Sequence, residues 1–248
     1  MSKLMTGQQF ADKAVNIAKN YKTLYVWGAF GAPLNAANKA RYTGNNAAEY
    51  NRRADRKALI LAADNDTFAF DCVGLLKGIL WGWDGNLDRT YGGAIYASNG
   101  VPDIDANEMI SRCSDVSTSF NLDHMAPGEA VWKQGHIGIY IGNGLAVECT
   151  PAWTDNVQIT ACNCDRAGYN RRNWTKHGKL PWIDYAAAGM PFVDVPKGKY
   201  YTDAVRWCWE NGIVSGTDAT HFSPKANIKR CDACVMMKKL YDLLKGGG

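Results

Sequence analysis

No run of about 18 apolar residues occurs anywhere in this 248-residue chain, so nothing in it reads as a membrane-spanning helix. Nor do the first 21 residues read as a secretory leader, since they have no continuous apolar stretch and no small-residue cleavage site. They instead place Phe10, Ala14, Ile17 and Ala18 at helical spacing, which predicts an amphipathic helix and synthesis in the cytoplasm without a leader. Cysteine is thinly and irregularly spread, 8 in all, below the density of a disulfide-stapled secreted domain, so reduced thiols are expected. Excess charge of either sign is small: 28 Lys and Arg against 24 Asp and Glu leave +4, too dispersed to mark a nucleic-acid binder. What is present, 46% hydrophobic residues and 25 glycines, describes a globular chain and excludes disordered and collagen-like classes.

Along the chain, Leu24–Trp27 reads as a short extended piece, Gly28–Pro33 as a loop, and Ala36–Ala63 as helix-prone. Arg52, Arg53, Arg56 and Lys57 then fall on a solvated face. From Asp71, the residues Val73, Leu75, Leu76, Ile79, Leu80 and Trp83 make one broad apolar stripe, which predicts a buried helix. A short helix over Ala106–Cys113 is followed by strands at Ala130–Trp132, His136–Ile141 and Leu145–Cys149, the last two joined through Gly142-Asn143-Gly144. Helices followed by an antiparallel sheet predict an α+β domain over residues 1–184. The small-residue stretch 185–191 reads as a linker, and residues 192–245 as a second unit with helices at Tyr201–Asn211 and Lys229–Leu244 whose apolar faces pack together. Gly246–Gly248 reads as a frayed tail. Residues 192–248 hold 9 basic and 6 acidic groups, so most of the positive excess lies in the second unit.

Cys72 follows Asp71 at the start of the apolar helix, where unpaired backbone N–H groups and the positive end of the helix dipole favour a thiolate. That position suits a nucleophile; packing as a buried thiol is the competing reading. His136 opens a strand whose hairpin partner carries Glu148. A two-residue Asn143-Gly144 turn would pair positions 139 and 148 and put Glu148 on the face opposite His136. A three-residue loop pairs 138 with 148 and makes Glu148 the diagonal neighbour of His136, about 7–8 Å away at the backbone. In that register His136 can take the Cys72 proton while Glu148 fixes the imidazole tautomer.

These residues sit within four ordered blocks: Tyr25-Val-Trp-Gly28, Phe70-Asp-Cys-Val-Gly74, Pro127-Gly-Glu129 with the strand Ala130–Trp132, and Gly135-His-Ile-Gly-Ile-Tyr-Ile-Gly-Asn-Gly144. Over roughly Met1 to Ile183 the pattern resembles the NlpC family of papain-like cysteine peptidases, which cut bacterial cell-wall peptides. The resemblance implies a papain-like fold with helices packed on an antiparallel sheet. It implies Cys72 as nucleophile, His136 as general base, Glu148 as the residue that orients it, and Tyr25 as a hydroxyl beside the developing oxyanion. Trp27 and Asp71 are expected to contact substrate, and no metal or organic cofactor is required. Val73 stands where the family most often has Ser, Ala29 where it has a second Gly, and Glu148 where it often has His.

The second unit carries Phe192-Val-Asp-Val195, Ala204-Val-Arg-Trp207, Asn211-Gly-Ile-Val-Ser-Gly216, Phe222-Ser-Pro224 and Ile228-Lys-Arg-Cys-Asp232, and resembles one S-layer homology motif. That resemblance implies a small all-α unit binding an anionic secondary cell-wall polymer, with Trp207, Gly212, Ser215, Gly216 and Arg230 at the polymer-lining positions. The family usually has three motifs where this chain has one, so three chains are expected to assemble through these units. Cys231-x-x-Cys234 has a zinc-like spacing, but packing on one helix explains it better, and Cys162-x-Cys164 has no second close pair.

Together the two resemblances describe a peptidoglycan hydrolase like a phage endolysin, released to the wall and cutting the D-isoglutamyl–diamino acid bond of stem peptides. The alternatives are an N-acetylmuramoyl-L-alanine amidase with the same residues, a non-catalytic wall-adhesion protein, and a thiol effector acting on host proteins.

Overall fold

Thr6 and Gln9 cap each other at the start of the first helix: Thr6 Oγ1 accepts from the Gln9 N–H at 3.1 Å, and Gln9 Oε1 accepts from the Thr6 N–H at 3.0 Å. The computed structural model describes residues 3–122, 125–185, 192–196, 198–218 and 220–246. The chain divides into two units, Met1–Tyr185 and Ala186–Gly248.

In chain order the first unit contains β1 (Met5–Thr6), α1 (Gly7–Asn20), β2 (Thr23–Tyr25), β3 (Phe30–Pro33), α2 (Ala36–Thr43), α3 (Glu49–Arg52), α4 (Ala54–Ala62), β4 (Phe68–Phe70), α5 (Cys72–Leu80) and α6 (Ala106–Ser111). There follow β5 (Ser114–Ser117), β6 (Ala130–Lys133), β7 (His136–Gly142), β8 (Leu145–Thr150), β9 (Asn156–Cys162), β10 (Arg171–Arg172), β11 (Lys176–Lys179) and β12 (Ile183–Asp184). The architecture is mixed α+β. A seven-stranded sheet runs β10-β9-β8-β7-β6-β11-β5, a three-stranded sheet runs β2-β4-β3, and β1 pairs with β12.

Helices α1 and α5 pack on the larger sheet because their apolar residues all go one way. Phe10, Ala14 and Ile17 of α1 join Leu75, Leu76 and Leu80 of α5, Ile137 and Ile139 of β7 and Val147 of β8 in one core. Full burial of each Phe, Leu or Ile contributes roughly 1.5–3 kcal/mol. Every residue of α5 is buried, including Lys77, whose ammonium pairs with Asp103 and donates to the Ile104 carbonyl at 3.1 Å.

Several segments differ from the sequence expectation. Gly28–Pro33 is not all loop: Phe30–Pro33 pairs antiparallel to β4 with a register shift between Phe30 and Ala32. Gly31 lies at that shift with φ +112°, and the Trp83 ring occupies the space its Cβ would need. Ala36–Ala63 breaks into three helices, the first ending at Gly44. Arg56 leaves the expected solvated face: it is 5% exposed, pairs with Asp155 and donates to the Tyr25 carbonyl. Strands β5, β9, β10 and β11 were not foreseen; β5, β10 and β11 carry no simple alternation, whereas β9 alternates Val157, Ile159 and Ala161 with polar residues.

The β7–β8 hairpin resolves the register question in a way neither alternative described. Asn143 and Gly144 form a two-residue turn with φ of +52° and +71°, between the paired Gly142 and Leu145. A bulge between Tyr140 and Gly142 then shifts the ladder by one residue, so that Ile139 pairs with Val147 and Gly138 faces Glu148. The three-residue register thus arises from a short turn plus a bulge.

The second unit holds α7 (Thr202–Glu210) and α8 (Arg230–Gly246), with no strand among the described residues. Its core is Phe192, Val195 and Val205, with Tyr201, Trp209 and Phe222 packed against them. The expected packing of the two helices' apolar faces is corrected here, since no α8 residue joins that core. Val235, Met237 and Leu244 are exposed, and so are Cys231 and Cys234, which sequence reasoning had placed in packing. Of the expected linker, Tyr185 belongs to the first unit, donating to the Gly128 carbonyl at 2.7 Å. Residues 186–191, and Gly247 and Gly248 of the expected tail, lie outside the described residues.

The start of α5 is set by a close approach. A Cβ on Gly74 would lie 1.9 Å from the Ala29 carbonyl oxygen. Gly74→Ala therefore lowers stability by about 1–3 kcal/mol, read as a lower urea midpoint at unchanged slope.

Candidate active site

Glu148 lies on β8 with no solvent exposure, and its carboxylate is met from three strands. His136 Nε2 of β7 lies 2.7 Å from Oε2, and Thr160 Oγ1 of β9 donates to Oε1 at 2.8 Å. Arg172 of β10 donates through Nε to both oxygens, at 3.1 and 3.0 Å, and its Nη2 reaches Oε2 at 2.8 Å. Burial alone would raise the Glu148 pKa, but the hydrogen bonds from His136 and Arg172 outweigh it and hold the group below the usual carboxylate range. The diagonal placement that the hairpin register allows is therefore realised, with a proton on Nε2 and the lone pair of the neutral ring on Nδ1. Trp174 stacks on the His136 ring, centroids 5.4 Å apart and planes 5° from parallel, over Gly138, where a Cβ would press on the Trp174 ring at 3.0 Å. Arg172, Thr160, Trp174 and Trp153, whose ring lies 4.5 Å from the Arg172 guanidinium, were all missed from sequence. Thr160 and Arg172 arrive from strands, and Trp153 and Trp174 from the connections beside them, in segments that carry no legible motif.

Cys72 begins α5, and Asp71 caps that helix. Asp71 Oδ1 accepts from the Gly74 N–H at 2.5 Å and Oδ2 from the Gly28 N–H at 2.7 Å. Each oxygen thus accepts from backbone and positions the Cys72 turn against the Gly28 loop, while Asp71, expected to contact substrate, also lines the cleft that Cys72 opens. The expected thiolate is corrected. Burial, then the neighbouring Asp71 carboxylate, push the Cys72 thiol up to about 12, against the backbone N–H groups of Ile137, Val73 and Cys72 itself. The Ile137 contact brings the thiol to the residue next to His136. Among the described residues no hydrogen bond joins Cys72 to the imidazole.

Tyr25 is buried, and its phenol is pushed far up by burial and by Cys72, so it stays a neutral donor. Its ring meets Tyr50 edge-on at 5.8 Å. Trp27 is half exposed and held through its backbone, its N–H donating to Asn51 Oδ1 at 3.0 Å and its carbonyl accepting from Asn51 Nδ2 at 2.9 Å. Tyr25, Trp27, Gly28 and Cys72 line one side of a cleft of about 430 Å³, with Asp103, Asn107, Glu108 and Gly135 on the other. Asn107 ties α6 to β6 and to the turn before β7, accepting from the Gly135 N–H at 3.0 Å and from Trp132 Nε1 at 3.2 Å.

In the second unit, Trp207 is 48% exposed on α7 rather than in the core. Ser215 and Arg230 are exposed, Arg230 without an ion-pair partner among the described residues. Gly212 follows α7 with φ +67°. Gly216 has a packing reason of its own, because a Cβ there would lie 2.4 Å from the Phe192 ring. All eight cysteines are free thiols, and Cys164 donates to the Gly144 carbonyl at 3.3 Å.

Because the folded pKa of Glu148 lies below its unfolded value, its bonds stabilise the fold above the unfolded pKa, and that contribution fades as pH falls toward the folded value. Arg172→Met, which strands the buried carboxylate, lowers stability by about 3–5 kcal/mol at neutral pH, and the deficit narrows below roughly pH 4 in urea titrations.

Comparison with known proteins covers the second unit. The chain is similar, at 36% identity over 58 residues, to an S-layer protein of Bacillus thuringiensis subsp. finitimus and to the S-layer protein sap of Bacillus anthracis, in each case over 23% of this chain and 7% of the relative. The chain thus spans a small fraction of those proteins' length, and residues 191–234 match the S-layer homology domain.

Proposed function

We propose that this protein is a peptidoglycan hydrolase whose first unit is an NlpC-type thiol peptidase and whose S-layer homology domain holds it to the wall. The observation that carries the reading is the His136–Glu148 pair at 2.7 Å, buried and oriented, beside a cysteine that opens both a helix and a cleft. S-layer homology domains bind secondary cell-wall polymers, which accounts for wall association. No helix among the described residues is long and apolar enough to cross a membrane.

The chemistry follows from the geometry. Cys72 rests as a thiol, and attack on a stem-peptide carbonyl begins as His136 Nδ1 takes the thiol proton. Glu148 stabilises the imidazolium so formed, fixed in turn by Arg172. The Tyr25 hydroxyl and the Cys72 N–H donate to the oxyanion. The proton passes from His136 to the leaving amine, and the resulting thioester is hydrolysed by water that His136 deprotonates. The D-isoglutamyl–diamino acid bond is the proposed target, with the N-acetylmuramoyl-L-alanine amide as alternative; mass spectrometry of digested wall fragments separates them. The S-layer similarity favours a second reading, a wall-adhesion protein that uses the fold without catalysis.

In a turbidity assay on purified Gram-positive walls, Cys72→Ala loses activity by about a thousandfold or more while still sedimenting with walls. A Cys72→Ala protein that clears walls like the parent overturns the enzyme and leaves the adhesion reading. A trimer assembled through the second units would cover the exposed Val235, Met237 and Leu244; light scattering that gives a monomer at high concentration removes it.

A further inference from the structure

Within the second unit, Asp194, Lys199 and Tyr201 face Ser223, Pro224 and Lys225 across an open groove of about 590 Å³. None of the polymer-lining positions implied by the motif contributes to it. The groove is held in shape by its own backbone. Asp194 clips the two walls together, one oxygen accepting from the Phe222 N–H at 2.9 Å and the other from the Ser223 N–H at 2.7 Å. Thr202 pins the near wall, donating to the Pro196 carbonyl at 2.8 Å and accepting from the Lys199 N–H at 3.0 Å. Ser223 adopts φ +58°, and its hydroxyl meets Thr217 Oγ1 at 2.8 Å, so the far wall is fixed as a tight turn.

Positive charge is in excess in this groove. The Asp194 carboxylate, whose two oxygens accept from backbone amides that hold its pKa down, stays charged, so two ammonium groups stand against one carboxylate. Lys199 and Lys225 stand on opposite walls, and neither has an ion-pair partner among the described residues. Beside them Tyr201 lines the groove, and Tyr200, 98% exposed, meets it edge-on at 5.2 Å. Two ammonium groups without a salt-bridge partner, a serine hydroxyl and an aromatic face in one preformed groove match the recognition of a charged sugar: the ring stacks on apolar surface and the anion is met from both sides.

We infer that the Lys199–Tyr201–Lys225 groove is a binding subsite for an anionic saccharide unit bearing a carboxylate or a phosphate. The inference rests on the wall-binding reading and adds a site that the motif positions do not supply.

The test uses the full chain in a Cys72→Ala background, which prevents digestion, and measures cosedimentation with Gram-positive sacculi carrying their secondary polymers. Hydrofluoric acid-stripped sacculi serve as the reference. The double variant Lys199→Gln/Lys225→Gln binds intact sacculi about tenfold more weakly or worse, with an unchanged melting midpoint. The double variant Lys229→Gln/Lys238→Gln, which loses the same charge on or beside α8, binds like the parent. Competition by glycerol phosphate or by glucuronate tells the phosphate source from the carboxylate one. Equal weakening of both double variants shows diffuse attraction and overturns the groove, as does parent-like binding by Lys199→Gln/Lys225→Gln. If the parent itself does not distinguish intact from stripped sacculi, the polymer-binding reading fails first and the subsite with it.

Discussion

A carboxylate with no exposure to water must be met by the protein or give up its charge, and Glu148 is met. That single requirement organises one end of the larger sheet. Thr160 on the adjacent strand and Arg172 on the short parallel strand beyond it are placed where their donors converge on the two oxygens, and Trp153 covers the guanidinium. His136 completes the set from the opposite side, its ring flattened between the carboxylate contact and Trp174. Remove the charge and the reason for this convergence goes with it, since an arginine this little exposed would face the same desolvation cost alone.

At the other half of the site the contest is between a helix dipole and burial, and burial wins. A helix N-terminus favours an anion by about 0.3–1 kcal/mol near the surface. The Cys72 position is 7% exposed and next to a capping carboxylate, and both oppose ionisation. The cap that places the cysteine is therefore also one of the groups that keeps it protonated. In the proposed reaction such a thiol depends on a base acting together with bond formation, which makes the orientation of the imidazole matter more than its charge at rest.

Much of this was legible in the sequence where chemistry and local periodicity coincide. The apolar stripe after Asp71 identified α5, alternation identified β6 to β8, and composition separated the second unit. The ordered blocks singled out Cys72, His136, Glu148 and Tyr25, and Tyr25 and Cys72 lie on one cleft while His136 and Glu148 pair. What was hidden depended on distant pairing. Arg56 reads as a surface charge until Asp155, far along the chain, closes over it, and Arg172 sits in a polar segment whose strand character comes only from pairing with β9. The cap that Asp71 makes at the start of α5 was not read, because a helix cap and a substrate contact ask for the same side chain.

The bulge between Tyr140 and Gly142 has a consequence for how this protein can change. Side chains alternate along a strand, so whether His136 and Glu148 meet depends only on whether the count of residues between them is odd or even in the paired ladder. The bulge supplies the one residue that settles this parity, at a place remote from any reacting atom. Insertions or deletions in the hairpin are thus sorted by arithmetic: a change of two residues keeps the pair on one face, and a change of one turns the carboxylate away from the imidazole while leaving both residues present.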